Sequence, residues 1–211
     1  MQELSFHILD LVENSISAGA TEVRIVIFED EDNDLMVLDI EDNGSGIPED
    51  ILPGITDPFV TTRTTREIGL GLTLTKEAAR DCEGNLIVKS KFKKGTRVRA
   101  LLRFYHINRD PLGDIADTIA MLMITNPQID FIYRHVTKDG AFDINSGEIK
   151  EVLGEDVPLH NPKVIKFIRF EIGSGLRDIK ATLEYRFDEE AELPVSPKFL
   201  KRSYFFDEPL F

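Results

Sequence analysis

Two glycine-rich stretches decide the fold of this chain: Asp42-Asn43-Gly44-Ser45-Gly46-Ile47 and, further along, Gly69-Leu70-Gly71-Leu72. The first places a carboxylate in a turn whose glycines carry no Cβ, so a flat ring can approach the backbone there. The second stands directly before an expected helix, and backbone N–H groups at a helix N-terminus attract phosphate. Either motif alone is common in turns that bind nothing, but their order outlines a nucleotide site.

The sequence before these stretches predicts a helix followed by two strands. Apolar residues recur at helical spacing over residues 3–18, and the helix is expected to end near Gly19. Asp10 and Asn14 are four residues apart on it and therefore share one face. Strands rich in Val and Ile are expected over residues 21–28 and 35–41, and the second runs into the first glycine-rich stretch.

The sequence after them predicts a polar loop, a helix and a hairpin. The loop runs over residues 57–69, the helix over 71–83, and the two strands over 85–90 and 96–104.

The composition excludes several classes of partner and site. There are 38 Asp plus Glu against 25 Lys plus Arg, giving a net charge of −13. Such a surface repels nucleic acid and anionic membranes, so neither is expected as a partner. We interpret the basic cluster as a solvated hairpin tip; it consists of Lys89, Lys91, Lys93, Lys94, Arg97 and Arg99.

Cys82 is the single cysteine, which excludes an internal disulfide and a cysteine-based metal site within one chain. We interpret it as a small buried hydrophobe. The N-terminus has the pattern of an amphipathic helix, not of a signal peptide, so we expect a soluble cytoplasmic protein.

The order of these features resembles the GHKL ATPases, which include the ATP-binding domains of gyrase, heat-shock chaperones, histidine kinases and mismatch-repair proteins. The matching features are the helix with Asn14, Asp42-x-Gly44-x-Gly46, the loop with Phe59, Gly69-x-Gly71-Leu72 and Gly95-Thr96. Residues 57–63 and 69–72 look most like the histidine kinase catalytic domain, and residues 11–15 with 18–21 look like mismatch-repair proteins.

The resemblance covers residues 3–104 and implies the α+β class, as a two-layer α/β sandwich of the GHKL (Bergerat) type. It also implies ATP and Mg²⁺ as cofactors. Asn14 would coordinate Mg²⁺ through its amide oxygen, and Asp42 would accept a hydrogen bond from the adenine amino group. Gly44 and Gly46 would let the backbone pass close to the base, and Ile47 would lie on it.

The remaining site residues also come from the resemblance. The loop from Phe59 would be a mobile lid, and Thr96 would support the Asp42 end of the site. Arg63 or Arg66 would add positive charge near the phosphates, or would be exposed loop charges. The phosphates would meet the second glycine-rich stretch, which consists of Gly69, Leu70, Gly71 and Leu72.

Whether the protein can hydrolyse ATP turns on the residue at position 10. In the hydrolysing branches of the family a Glu four residues before the Asn activates water, and here that position holds Asp10, which is one methylene shorter. We therefore take Asp10 as the candidate catalytic base of a slow ATPase. The six residues before His7 are too few for a phosphoacceptor histidine module, so we expect a stand-alone ATP-binding domain, and we interpret His7 as a packing or surface residue.

The second half is expected to form a smaller C-terminal α+β domain. We expect the ATP-binding domain over residues 1–105, the smaller domain over 106–192 and an aromatic, Pro-containing tail over 193–211. Asp110-Pro111 predicts a helix start, residues 128–136 and 141–145 a hairpin, 147–153 a short helix, and Asn161-Pro162 another helix start.

Two functions stay open at this stage. The first is a regulatory Mg-ATP-dependent ATPase or protein kinase, with a protein partner bound through the second half and a possible homodimer. The second is a non-catalytic ATP-dependent switch resembling the anti-sigma factors. A mismatch-repair-like ATPase comes third, because the acidic surface disfavours DNA.

Overall fold

The computed structural model describes residues 3–56, 70–154 and 156–182. In chain order its helices and strands are α1 (Leu4–Ser17), β1 (Glu22–Asp30), β2 (Leu35–Asp42), α2 (Gly71–Asp81), β3 (Asn85–Lys91), β4 (Gly95–Leu102), α3 (Ile115–Thr125), β5 (Asp130–Thr137), β6 (Gly140–Asn145), α4 (Ser146–Leu153) and α5 (Pro162–Asp178). Short 3₁₀ turns lie at Glu31–Asn33 and Leu52–Gly54. The mixed α+β class is as predicted, and the expected strands and helices of the first half agree with those observed to within about two residues at most ends.

The strands form one six-stranded sheet in the order β3-β4-β2-β1-β5-β6. The pairing of β1 with β5 is parallel, and the other pairings are antiparallel. On the helix side of the sheet, Val23, Ile25 and Ile27 of β1 are buried in the same core as Ile8 and Val12 of α1. α1 is therefore held against this face of the sheet by a shared hydrophobic core.

The sheet continues across the predicted domain boundary between residues 105 and 106. β5 belongs to the second half, yet Glu22 to Phe28 of β1 pair in register with Asp130 to Val136 of β5. The apolar faces of α3 and α5 contribute Ile119 and Ile168 to the same core. The two halves thus share a sheet and a core, while their division into separate domains stays a prediction.

A buried cluster of polar side chains also joins the two halves of the chain. The His135 Nε2 atom of β5 lies 2.7 Å from Glu29 Oε1 of β1, and its Nδ1 lies 2.7 Å from the Tyr133 hydroxyl. The Glu29 carboxylate accepts the Thr182 N–H at 3.1 Å. Burial raises the pKa of Tyr133 well above its ordinary value, so this hydroxyl stays protonated and available as a donor.

The prediction that Asp110 caps a helix was wrong. α3 begins at Ile115, and its N-cap is Asp114, whose carboxylate accepts the Asp117 N–H at 2.9 Å. The backbone at residues 111 and 112 instead accepts hydrogen bonds from Leu4 N–H at 2.9 Å and Ser5 N–H at 3.1 Å. The carbonyl groups of Pro111 and Leu112 therefore hold the start of α1, a tertiary contact that overrides the local helix-starting preference of Asp110-Pro111.

The basic cluster divides into two groups with different surroundings. Lys93 and Lys94 lie in the β3–β4 turn, as the hairpin-tip interpretation expects. Arg97 and Arg99 instead extend from β4 to the buried carboxylate of Asp39 on the neighbouring strand β2. Arg97 Nε donates to Asp39 Oδ1 at 2.9 Å, and Arg99 Nε donates to Asp39 Oδ2 at 2.7 Å. These two arginines neutralise a carboxylate within the sheet and are not part of the solvated tip.

Two further expectations can be compared with the described residues. Cys82 is buried, as predicted, and burial raises the pKa of its thiol to about 11. No described helix is both long enough and apolar enough to cross a membrane. The aromatic tail over 193–211 lies outside the described residues.

Candidate nucleotide site

Asp10 and Asn14 face the N-terminus of α2. A Cβ built on Gly71 would lie 3.1 Å from Asp10 Cβ and 3.7 Å from Asn14 Nδ2. Any side chain at position 71 would therefore push the two helices apart, since such a contact is shorter than an ordinary carbon–carbon contact of about 3.5–4.0 Å. The structure thus brings together three of the residues that the sequence selected.

The N-terminus of α2 has the features of an anion-binding helix end. Leu70 is the N-cap residue and makes no side-chain capping hydrogen bond, and the first turn contains no acidic residue. The first N–H groups of a helix have no partner within the helix, and the helix dipole favours negative charge beside them. Leu72 packs against the core and anchors this end, whereas Leu70 is exposed.

Asp42 lies at the end of β2, with both carboxylate oxygens oriented by neighbouring groups. Oδ2 accepts the Ser15 hydroxyl at 2.9 Å, and Oδ1 accepts the Gly44 N–H at 2.8 Å. A carboxylate has about four acceptor positions, so it can still receive a further donor. Ser15 directly follows Asn14 in α1, and adjacent helical residues point about 100° apart. α1 therefore connects the Asp42 end of the site to the α2 end.

The glycines of the first stretch are required by packing against the protein itself. A Cβ on Gly44 would lie 2.9 Å from both Ala18 Cβ and the Ala18 carbonyl oxygen. Gly46 has φ +63°, and its Cβ would lie 2.1 Å from the Lys91 carbonyl oxygen. Both glycines thus hold the turn against its neighbours, which is a structural reason for them independent of any ligand, and their approach to a base stays a prediction.

Ile47 and Thr96 are joined by a hydroxyl group that the sequence analysis missed. The Ile47 N–H donates to Ser90 Oγ at 2.7 Å, and Ser90 Oγ lies 2.9 Å from Thr96 Oγ1. Thr96 is opposite both Ser90 on β3 and Asp42 on β2 in the strand register. Thr96 therefore supports the strand end that carries Asp42, and the Ser–Thr cross-strand pair is the signal that would have revealed Ser90.

Ser15 was missed in the same way. A serine inside a helix usually bonds its own backbone, so the sequence does not show that Ser15 reaches Asp42. Three predicted site residues, Phe59, Arg63 and Gly69, lie outside the described residues, as does Arg66.

These features define a class of protein. A mixed sheet covered by helices, an oriented carboxylate at a strand end and an uncapped helix N-terminus beside an asparagine are the features expected of a nucleotide-binding α/β sandwich. The family model described as "Histidine kinase-, DNA gyrase B-, and HSP90-like ATPase" matches residues 2–106. The chain therefore belongs, through this half, to the GHKL ATPase superfamily, and ATP binding of the GHKL type follows from that membership.

The curated relatives that match include sensor kinases and mismatch-repair proteins. A putative sensor protein of Shewanella frigidimarina is 31% identical over 102 residues, covering 47% of this chain and 16% of the relative. Sporulation kinase A of Bacillus subtilis is 36% identical over 91 residues, covering 42% and 14%. The DNA mismatch repair protein MutL of Listeria innocua is 26% identical over 182 residues, covering 68% and 30%. The chain spans less than a third of each of these relatives.

A solved structure described as the N-terminal domain of a DNA repair protein is also similar. It is 19% identical, with a TM-score of 0.48, and the match covers 69% of this chain and 52% of that one.

Proposed function

We propose that this chain is a Mg-ATP-dependent regulatory enzyme, an ATPase or a protein kinase, whose ATP lies between Asp42 and the N-terminus of α2. The observation that carries the proposal is the approach of Gly71 to Asp10 and Asn14, with 3.1 and 3.7 Å to the position of a Cβ. A base candidate, a metal-ligand candidate and an uncapped helix end meet there, and phosphoryl transfer requires these groups close together.

The Asp42 end suits adenine. An ionised carboxylate only accepts hydrogen bonds, and adenine presents an amino donor where guanine presents a carbonyl acceptor. Because Ser15 and Gly44 already orient both oxygens, the carboxylate is fixed before a ligand arrives. A fixed acceptor loses little conformational entropy on binding, which favours affinity.

The other end suits phosphate and Mg²⁺. The uncapped first turn of α2 would receive phosphate oxygens, and the Asn14 amide oxygen is the kind of hard ligand that Mg²⁺ accepts. Bound there, Mg²⁺ would neutralise phosphate charge and orient the terminal phosphoryl group. Asn14 is half-buried on the same face of α1 as Asp10, so both are held by the helix and not by a loop.

Asp10 would accept a proton from the attacking water or from a substrate hydroxyl. Its side chain starts beside Gly71, one helical turn from Asn14, so it borders the place where the phosphates would lie. An Asp reaches less far than a Glu by one methylene, so its carboxylate would lie further from the attacking group. Slow turnover is therefore the expected behaviour.

The test is incubation of the pure protein with Mg²⁺ and γ-labelled ATP, with free phosphate and labelled protein measured over time. Asn14→Ala is the control for contaminating ATPases, and Asp42→Ala tests base recognition in a binding assay. Release of phosphate that disappears in Asn14→Ala supports the proposal. Failure of the intact protein to bind ATP would overturn it.

A non-catalytic ATP-dependent switch is the second candidate, favoured by the shorter Asp at position 10. Asp10→Asn separates the two functions, because it removes the base while keeping the size of the side chain. Loss of turnover with retained ATP binding supports the enzyme, whereas turnover equal to that of the intact protein removes Asp10 from its role. A mismatch-repair-like role comes third, since a net charge of −13 disfavours DNA.

A protein partner bound through the second half completes the proposal. The solvent-facing side of α5 carries Phe167 and Phe170, which are 51% and 64% exposed, between the exposed Lys163, Lys166 and Arg177. This is a basic and aromatic stripe on an acidic protein, and it suits a partner with an acidic, partly apolar surface. A homodimer and a cytoplasmic location remain parts of the proposal.

A further inference from the structure

A chain of polar contacts runs from α1 into the first turn of α2. His7 Nδ1 lies 3.2 Å from Thr75 Oγ1, and Thr75 Oγ1 donates to the Gly71 carbonyl oxygen at 2.8 Å. Gly71 is the residue whose missing Cβ allows α2 to approach Asp10. Thr75 and Gly71 are one turn apart in α2, as are His7 and Asp10 in α1, so the helices lie antiparallel here and meet through this chain.

The hydrogen-bond network assigns the proton of His7. Thr75 has one hydroxyl proton; when that proton is directed to the Gly71 carbonyl, His7 Nδ1 is the donor to the Thr75 oxygen. The imidazole is then the neutral Nδ1–H tautomer, with a bare lone pair on Nε2. Burial is the main effect on His7 and lowers its pKa below the usual value of 6.5, which agrees with a neutral ring.

The other ring nitrogen faces the segment that leads into the second half. His7 is buried, and its Nε2 has no hydrogen-bond partner among the described residues. The Asp110 Oδ2 atom lies 3.6 Å away, beyond hydrogen-bonding distance. The next two residues accept the Leu4 and Ser5 N–H groups, which fixes this segment to the start of α1.

We propose that His7 and Thr75 are positioning residues of the nucleotide site, which hold the first turn of α2 beside Asp10 and Asn14. The hydroxyl of Thr75 orients the Gly71 carbonyl, and the neutral imidazole orients the hydroxyl.

The charged groups around His7 act in one direction. Asp110, on the neighbouring segment, and Asp10, on α1 itself, both favour the protonated ring and oppose the larger effect of burial. Thr75 is the contact from α2, and it carries no charge. Burial outweighs both carboxylates, which leaves the ring neutral.

The first experiment compares Thr75→Val with Thr75→Ser in the full chain, and it rests on the ATP binding proposed above. Val keeps the shape but removes the hydroxyl, so the dissociation constant for Mg-ATP should rise about three- to tenfold, the equivalent of one ordinary hydrogen bond. Ser restores the hydroxyl and should return the constant to within about twofold. Equal affinity of Thr75→Val and the intact protein would overturn the proposal.

The second experiment does not need ATP. The ¹⁵N chemical shifts of His7 distinguish the two neutral tautomers, with His7→Gln identifying its signals. We expect the Nδ1–H tautomer in the intact protein at pH 8, and a mixture of the Nδ1–H and Nε2–H tautomers in Thr75→Val. An Nε2–H tautomer in the intact protein would mean that Thr75 donates to the ring and not to Gly71. That result would refute the positioning role of His7 and Thr75 even if the protein binds ATP.

The third experiment tests whether His7 acts as a neutral ring. Asp110→Asn removes the largest influence that raises the pKa of His7, so the pKa measured by NMR should fall. Because the ring is already neutral, Mg-ATP affinity at pH 8 should stay within about twofold of that of the intact protein. Asp143→Asn, which alters an exposed carboxylate on β6, is the matched control and should leave the pKa of His7 unchanged. Weaker Mg-ATP binding in Asp110→Asn alone would contradict a positioning role of the neutral ring.

Discussion

Gly71→Ala tests how closely α2 must approach α1. The new Cβ would lie 3.1 Å from Asp10 Cβ and 3.6 Å from the Asp10 carbonyl oxygen. Carbon atoms prefer a separation of about 3.5–4.0 Å, so the helix end must move away by about half an ångström. Gly71 has no positive φ, so backbone strain does not contribute.

Two effects on the free energy of unfolding oppose each other in this variant. Ala is favoured over Gly in a helix by at most about 1 kcal/mol, and the tight contact costs a similar amount once α2 shifts. The free energy of unfolding should therefore change by less than about 1 kcal/mol. The N–H groups of the first turn, however, move away from their place beside Asn14.

ATP affinity should respond far more than stability. A hydrogen bond to a charged group contributes about 1.5–3 kcal/mol, so misplacing one phosphate contact should weaken Mg-ATP binding about tenfold to a hundredfold. Titration calorimetry gives the dissociation constant, and urea denaturation gives the free energy of unfolding. Gly173→Ala is the control, because Gly173 lies in α5 and its Cβ would meet Arg177 at 3.5 Å. It should gain helix stability and bind ATP normally; affinity retained in Gly71→Ala would refute the reasoning.

Four further results are expected. Asp42→Asn should weaken ATP binding about tenfold or more in titration calorimetry, because the amide presents donors where a charged acceptor stood; unchanged affinity would contradict the adenine assignment. Gly46→Ala should lower the free energy of unfolding in urea by more than about 2 kcal/mol, since φ is +63° and the Cβ would lie 2.1 Å from the Lys91 carbonyl; a fully stable variant would show that the turn can rearrange. The pKa of His7 is lowered in the folded chain, so the stabilising contribution of the neutral ring is complete above pH 6.5 and is lost as the pH falls toward the lower folded pKa. His7→Gln should therefore flatten the pH dependence of the free energy of unfolding below pH 6.5. An identical pH profile in the variant would argue against a buried neutral ring. Cys82, with its pKa raised to about 11, should resist iodoacetamide at pH 8 until the chain unfolds, as mass spectrometry would show; rapid alkylation of the folded chain would contradict its burial.

Local pattern was sufficient for most elements of the chain. The spacing of apolar residues predicted α1, and Asn161-Pro162 predicted the start of α5, where the Asn161 side chain accepts the Lys163 N–H at 2.9 Å. Local pattern was insufficient at Asp110-Pro111, which has the same helix-starting pattern but begins no helix. The carbonyl groups of Pro111 and Leu112 accept hydrogen bonds from the start of α1 instead. The difference is that capping depends on neighbouring residues alone, whereas the second case depends on a distant helix.

The site divides in the same way. The order and spacing of the glycine-rich stretches and of Asp10 and Asn14 indicated the family, and the family model that matches residues 2–106 confirms it. The partners that orient those residues, Ser15 for Asp42 and Ser90 for Ile47, could not be selected, since a serine has no sequence signal for a hydrogen bond to a distant side chain.

The sequence by itself determined the elements, the α+β class and the GHKL superfamily. Only the tertiary structure decided that the second half extends the first, through a parallel pairing of β1 with β5 across about a hundred residues of chain. It also decided that His7 contacts Thr75, whose hydroxyl bonds the Gly71 carbonyl in the first turn of α2. Both depend on contacts between residues far apart along the chain, whose formation is decided by burial and loop closure and not by local preference.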